Sequence, residues 1–178
     1  MRLRRIAAAV LFLLAPAALL LSPSANATTV KRLGLEKMVA ASDLIVDGRV
    51  SAVRSYWRGK QIVTEVTIGV TGALTGRKTD TLKFVQVGGR VETPVPLEMT
   101  VPGAPTHRVG DQGYYFLEPG RSGEHVIVGL FQGHVPVRRD AQGEFVVSAG
   151  TRKSRAQFEE EVRRHIAAQS QDRPGASR

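Results

Sequence analysis

The residues with the broadest chemical capacity are the imidazoles His107, His125 and His134. Three neutral imidazoles can bind zinc when they converge. Their spacings of 18 and 9 residues match no metal-binding motif, and each stands beside Gly, Pro or a turn, where a solvated turn histidine is expected. Asp43, Asp47, Asp80 and Asp111 are expected at strand ends or turns, serving the backbone. No Gly-x-Ser-x-Gly or Ser-x-x-Lys nucleophile motif occurs, nor paired carboxylates, Walker glycines or a dinucleotide fingerprint. The chain has no Cys, which removes disulfides, thiolate metal sites, cysteine nucleophiles and lipoprotein acylation. The sequence therefore predicts no catalytic residue, no metal and no cofactor. What remains is recognition. Tyr56, Trp57, Arg58 and Lys60 gather at one predicted hairpin tip, and aromatics beside Arg are the residues that carry interface energy. Arg138-Arg139, before Asp140, reads as a solvated turn.

The elements that must position these residues are mostly strands. Leu44–Val53 is rich in Val and Ile, with Gly48 at a predicted bulge. Ile62, Thr64, Val66, Ile68 and Val70 alternate with Glu65, Thr67 and Gly69, the period-2 pattern of a strand with one buried face. A turn at Arg58-Gly59-Lys60 joins the two. Further strands are predicted from Thr81, with Leu82 and Phe84 on one face, to a stop at Gly88-Gly89, and at Tyr114–Leu117, Val126–Phe131, Val135–Arg138 and Phe145–Val147, separated by Gly-containing turns. Tyr115 and Leu117 are assigned to the core. Arg90–Pro105 holds four Pro and reads as an irregular surface excursion of the kind that carries recognition. A short helix is expected over Lys31–Ala41 and a second over Ser154–Ala168. In the second, Ser154 and Gln157 form a capping box, and Phe158, Val162 and Ile166 make a narrow stripe that predicts light packing. Gln169–Arg178 reads as a disordered tail. The predicted fold is mainly β: a small antiparallel barrel with a short N-terminal helix and a C-terminal amphipathic helix.

Length and composition agree with that plan. The 178 residues suit one domain, and the 42% hydrophobic content allows a packed core. Met1–Ala27 carries Arg2, Arg4 and Arg5, an apolar run from Ile6 to Leu21, and small residues at Ala25 and Ala27. This pattern predicts a secretory signal cleaved before Thr28. Removing those three arginines lowers the formal charge from +9 to +6. The segments read in order as signal 1–27, β domain 28–151, helix 152–168 and tail 169–178. The mature chain is expected in the periplasm or outside the cell, where a nucleic-acid target is disfavoured.

Two resemblances add to this reading. Residues Thr28–Val50, and Ala41-Ser42-Asp43-Leu44-Ile45-Val46 in particular, resemble the start of the netrin-like module of tissue inhibitors of metalloproteinases. That resemblance implies an OB-type barrel of five strands, a mature α-amine and carbonyl at Thr28 that chelate a protease zinc, and a side chain at Thr29 that enters the specificity pocket. Thr28, Val30 and Ala40 stand where that family has cysteines, so its N-terminal bridges are absent. More of the chain resembles a group of uncharacterised bacterial exported β-barrel proteins, through Asp43–Val50, Gly88-Gly89, Gly103–Pro105, Gly110–Leu117 and Val128–Gly133. Together these readings predict an exported, non-catalytic module that binds a protein partner. Thr28, Thr29, Tyr56, Trp57 and Arg58 are its expected contact residues. The alternatives are inhibition of an exported zinc metalloprotease through the mature N-terminus, and binding of nucleic acid or polysaccharide by an OB-type barrel.

Overall fold

The computed structural model describes residues 32–77 and 79–172. The predicted signal segment and the Thr28-Thr29 wedge lie outside them.

Two long strands, β1 (Leu44–Arg58) and β2 (Gln61–Thr75), form an antiparallel hairpin, and each continues five residues past its predicted end. The register of β1 slips at Ile45/Val46, Asp47/Gly48 and Val50/Ala52, which lets so long a strand coil instead of running flat. Gly48 is required at the second slip, because a Cβ there would lie 2.9 Å from the Gly69 carbonyl oxygen. Next come β3 (Thr81–Val87), β6 (Gln112–Pro119) and β7 (His125–Ile127). Pairings β1–β2, β2–β3, β3–β7, β7–β6 and β6–β1 close a ring of strands. All are antiparallel except β3–β7, which meet in parallel at Phe84 and His125. From β6 the sheet continues through β8 (His134–Asp140) and β9 (Gly143–Ser148) to β10 (Thr151–Ser154).

Three strand expectations are corrected. β7 stops at Ile127 because Gly129 and Leu130 both adopt positive φ, so 128–133 turns instead of extending. Arg138 and Arg139 lie within β8, not in a turn. The segment read as irregular contains a small hairpin, β4 (Gly89–Val91) with β5 (Leu97–Met99), lying against β1 and β2.

Side-chain alternation on β6 organises the core. Tyr115 and Leu117 face into the ring with Val46, Val50, Val66, Ile68, Phe84 and Ile127. Tyr114 and Phe116 face outward with Ile45 and are covered by two helices. Helix α1 (Leu35–Ala41) contributes Met38 and Val39, and α2 (Arg155–Asp172) contributes Phe158 and Val162. All four residues from Tyr114 to Leu117 are fully buried.

Helix α1 begins at Leu35, later than expected. Gly34 is extended, and the Leu33 amide donates to Gln132 Oε1 at 2.7 Å, which holds the preceding chain straight. The capping box of α2 is present: Ser154 N–H donates to Gln157 Oε1 at 2.9 Å, and Gln157 N–H donates to Ser154 Oγ at 3.2 Å. The packing is not light, since Phe158 and Val162 are fully buried, and the helix runs to Asp172, into the segment read as tail. No described helix is long and apolar enough to cross a membrane.

Arg155, in the first turn of α2, fixes the helix to the outer face. Its guanidinium donates to Asp47 Oδ2 at 2.6 Å, Glu144 Oε2 at 2.8 Å and the Tyr114 hydroxyl at 3.2 Å. Tyr114 in turn donates to Glu159 Oε1 at 2.6 Å, and Thr71 Oγ1 donates to Asp47 Oδ2 at 2.6 Å. Asp47 is thus buried in mid-strand, which corrects its assignment to a strand end. Removing one partner of a buried pair strands the other charge. Arg155→Ala is expected to cost about 3–5 kcal/mol in urea unfolding. Lys83→Ala breaks the exposed Lys83–Glu65 pair, and its cost is expected to stay under about 1 kcal/mol.

Candidate functional site

The expected contact tip and the main groove are separate. Tyr56, Trp57 and Arg58 end β1, opposite Val63, Ile62 and Gln61. Tyr56 is half-buried, with the Arg54 guanidinium 5.8 Å from its ring centre, and Trp57 is exposed. The Arg58 guanidinium is held by Glu124 at 2.9 Å, so it is not a free cation beside the aromatics.

A groove of about 700 Å³ lies elsewhere, within the range of ligand sites. One wall is the chain 103–112, with Gly103, Pro105, Thr106, Asp111 and Gln112. The opposite wall is the β8 segment Pro136–Arg139 with Glu144, and Arg49 and Phe131 complete the edges. His134 is in its floor.

Beneath the groove, the structure corrects the view of the histidines as solvated turn residues. His107 is 6% exposed and packs edge-on to Phe84, with ring centres 5.3 Å apart. Its ring centre lies 4.8 Å from that of His134. His134 is the register partner of Tyr115 across β6 and β8, and the rings stack at 4.9 Å. His125 joins neither imidazole in a ring contact; it lies on β7 opposite Phe84. Among the described residues no group of three His, Asp or Glu could hold a metal ion.

The electrostatics follow from burial. Desolvation lowers the pKa of both imidazoles to about 4, with His107 adding repulsion at His134 and Asp111 opposing in each case. Desolvation raises the Tyr115 hydroxyl well above its ordinary value, with Asp111 and Asp47 adding to the shift. Near neutral pH the three rings form an uncharged set. Neither nitrogen of His107, nor His134 Nε2, nor the Tyr115 hydroxyl finds a hydrogen-bond partner among the described residues. Among the described residues no nucleophile there is hydrogen-bonded to a base.

On the groove walls, the Arg49 guanidinium donates only to neutral acceptors, the Gly110 carbonyl at 2.7 Å and Gln112 Oε1 at 3.0 Å. Arg138 has no ion pair or hydrogen bond with any described residue. Arg139 is paired with Glu144. Sequence reasoning missed this constellation because His107 and Asp111 lie in a stretch without periodicity and His134 lies 27 positions beyond His107, on another strand. The one signal of it was the alternation that puts Tyr115 inside the ring.

No protein-family model matches the chain, and no curated protein matches it.

Gly113 sets how closely β8 approaches the site. A Cβ there would lie 2.9 Å from both His134 Nε2 and the Val135 carbonyl oxygen. Gly113→Ala must push His134 off Tyr115 or bend β8. It is expected to cost about 1–3 kcal/mol in urea unfolding and to move the His134 ring resonances in NMR spectra.

Proposed function

We propose that the chain is an exported, non-catalytic binding module of OB-type, netrin-like architecture, and that it recognises an acidic segment of a protein partner. The architecture is supported by the order β1-β2-β3-β7-β6-β1 with its single parallel closure, which suits a five-stranded, partly open barrel. Export is supported by the basic, apolar and small-residue series of Met1–Ala27.

The observation that carries the recognition reading is the pair of unneutralised guanidinium groups, Arg49 and Arg138, on one groove of about 700 Å³. Arginine presents a planar fork that suits a carboxylate bidentately. Between them lie apolar Phe131, Pro136 and Val137 and the acids Asp111 and Glu144. Such a mixed lining favours a peptide of mixed character over a continuous polyanion. A single-stranded nucleic acid needs successive stacking platforms, and Phe131 is the one aromatic hydrocarbon ring on this groove.

The tagged mature chain is expected to retain a protein from its own envelope or secreted fraction, resistant to nuclease and weakened by salt. Arg138→Glu, which breaks no ion pair or side-chain hydrogen bond among the described residues, should reduce that capture several-fold with the unfolding midpoint within experimental error. Adding Arg49→Glu, which also gives up the bonds to Gly110 and Gln112, should bring the loss to at least tenfold in a chain that still unfolds cooperatively. Undiminished capture by the double variant would overturn the groove as the contact surface. Turnover of a substrate that is lost on replacing one His or Asp would overturn the non-catalytic reading.

A further inference from the structure

From Thr100 to Gly110 the chain runs over the mouth of the strand ring, and His107 is its one buried residue. The 108–110 end is anchored, since the Gly110 amide donates to the Val50 carbonyl at 2.9 Å and the Gly110 carbonyl accepts from Arg49 at 2.7 Å. Over 100–107 the hydrogen bonds are few: Gln86 Nε2 donates to the Pro105 carbonyl at 3.1 Å, and the Ala104 amide closes a local turn onto Val101, while Gly103 lies against the Phe131 ring. Gly103, Pro105 and Thr106 form one wall of the main groove, while Ala104, Pro105, Thr106 and His107 line a second groove of about 230 Å³ on the other side. The segment is a partition between two grooves, and a titratable ring is the plug that seats it.

We infer that His107 is a proton-released plug: it holds the 100–107 segment closed while its ring is neutral and frees it when His107 and His134 become charged, merging the two grooves. This regulation rests on the groove being the recognition surface, but its structural test does not.

The plug is built from groups that compensate a charge only weakly, with Asp111 the one acid acting on both imidazoles. β3 presents the Phe84 ring and the Gln86 amide, β6 the neutral Tyr115 hydroxyl, and β8 a second imidazole 4.8 Å away. The nearest acid, Asp111, is engaged by the Arg108 amide at 2.7 Å. Asp47 is committed to Arg155 on the outer face. Arg49 points its guanidinium to Gly110 and Gln112, and of the β4–β5 groups on the second groove Arg90 is paired with Glu92, leaving Glu98 on its rim. Two cations 4.8 Å apart among such neighbours repel each other and lose hydration, and the relief available is for the segment carrying His107 to swing into water.

The sign and window follow from burial. Each imidazole has an ordinary value of 6.5 and is lowered to about 4 in the closed form. Closure is therefore undiminished above about pH 6.5, weakens as pH falls through that value, and reaches its minimum near pH 4. One imidazole can raise the open-to-closed ratio by up to about 300-fold across this window.

Hydrogen exchange, corrected for the intrinsic rate, reads this at the two hydrogen-bonded reporters of the segment, the Ala104 amide and the Gln86 side-chain amide that holds Pro105, in the full mature chain. Between about pH 7 and 4.5 these amides should lose at least tenfold protection while Tyr114–Leu117 stay protected. In His107→Phe, whose ring packs but cannot charge, protection should not change. Imidazole titration by NMR in the unmodified chain supplies an independent reading, with midpoints for His107 and His134 expected below about 5. Protection that is flat with pH, loss in step with Tyr114–Leu117, an unchanged acid response in His107→Phe, or midpoints near 6.5 would each overturn the plug.

Discussion

A strand without a solvent face governs this structure. Tyr114, Tyr115, Phe116 and Leu117 are successive and all fully buried, so both sides of β6 need a cover. Alternation sends Tyr115 and Leu117 into the ring and Tyr114 and Phe116 outward, and neither pair can be left in water without giving up several kcal/mol of aromatic and aliphatic burial. The ring supplies one cover and the helices α1 and α2 the other. The near-continuous apolar run is the sequence consequence of being covered on both sides.

The same strand hands a polar atom to each side, and the two are treated differently. Outward, the Tyr114 hydroxyl enters a network in which the Arg155 charge is answered by Asp47, Glu144 and Glu159, with Asp47 Oδ1 alone left without a hydrogen-bond partner among the described residues. Inward, the Tyr115 hydroxyl meets two imidazoles and no charge within the ring. An arginine answered by carboxylates keeps its pairing through the neutral range, whereas neutral imidazoles sealed in an apolar ring are stable only while they stay neutral. The fold therefore places its rigid polar cluster where the helix docks, and its titratable one beneath the groove.

Much of this was legible in the sequence, and the failures have a common cause. Period-2 alternation from Ile62 to Val70 located a strand, and Ser154 with Gln157 located a helix start, because both signals are complete within a few residues. The burial of Tyr115 and Leu117 could also be read. Asp47 and His107 were misplaced because their environments are built by distant segments. Asp47 is mid-strand and costly to bury until Arg155, 108 positions on, arrives. His107 sits in a Pro-rich stretch with no periodicity, and its neighbours come from β3, β6 and β8. The tip at Trp57-Arg58 showed the reverse error: its residues look free in sequence, but Glu124 from a remote turn occupies the arginine.

The basic surplus shows why location matters more than total charge. A formal charge of +9, or +6 without Arg2, Arg4 and Arg5, says nothing of where the excess lies. Many of the cations are locally answered, however: Arg58 by Glu124, Lys83 by Glu65, Arg90 by Glu92, Arg152 by Asp140 and Lys153 by Glu161. At such exposed pairs the field decays within about 8–10 Å at physiological salt and contributes little to steering a ligand. Arg49 and Arg138 differ because no carboxylate closes their forks and because they border a concave surface, where low-dielectric walls keep the field from dispersing. The groove thus concentrates the part of the charge that is still free to act, and the uncharged imidazole of His134 in its lining would add to that field once protonated. At the pH that charges this imidazole the carboxylates of an acidic segment, with ordinary values of about 4, begin to take up protons, so the gain in field and the loss of ligand charge oppose each other.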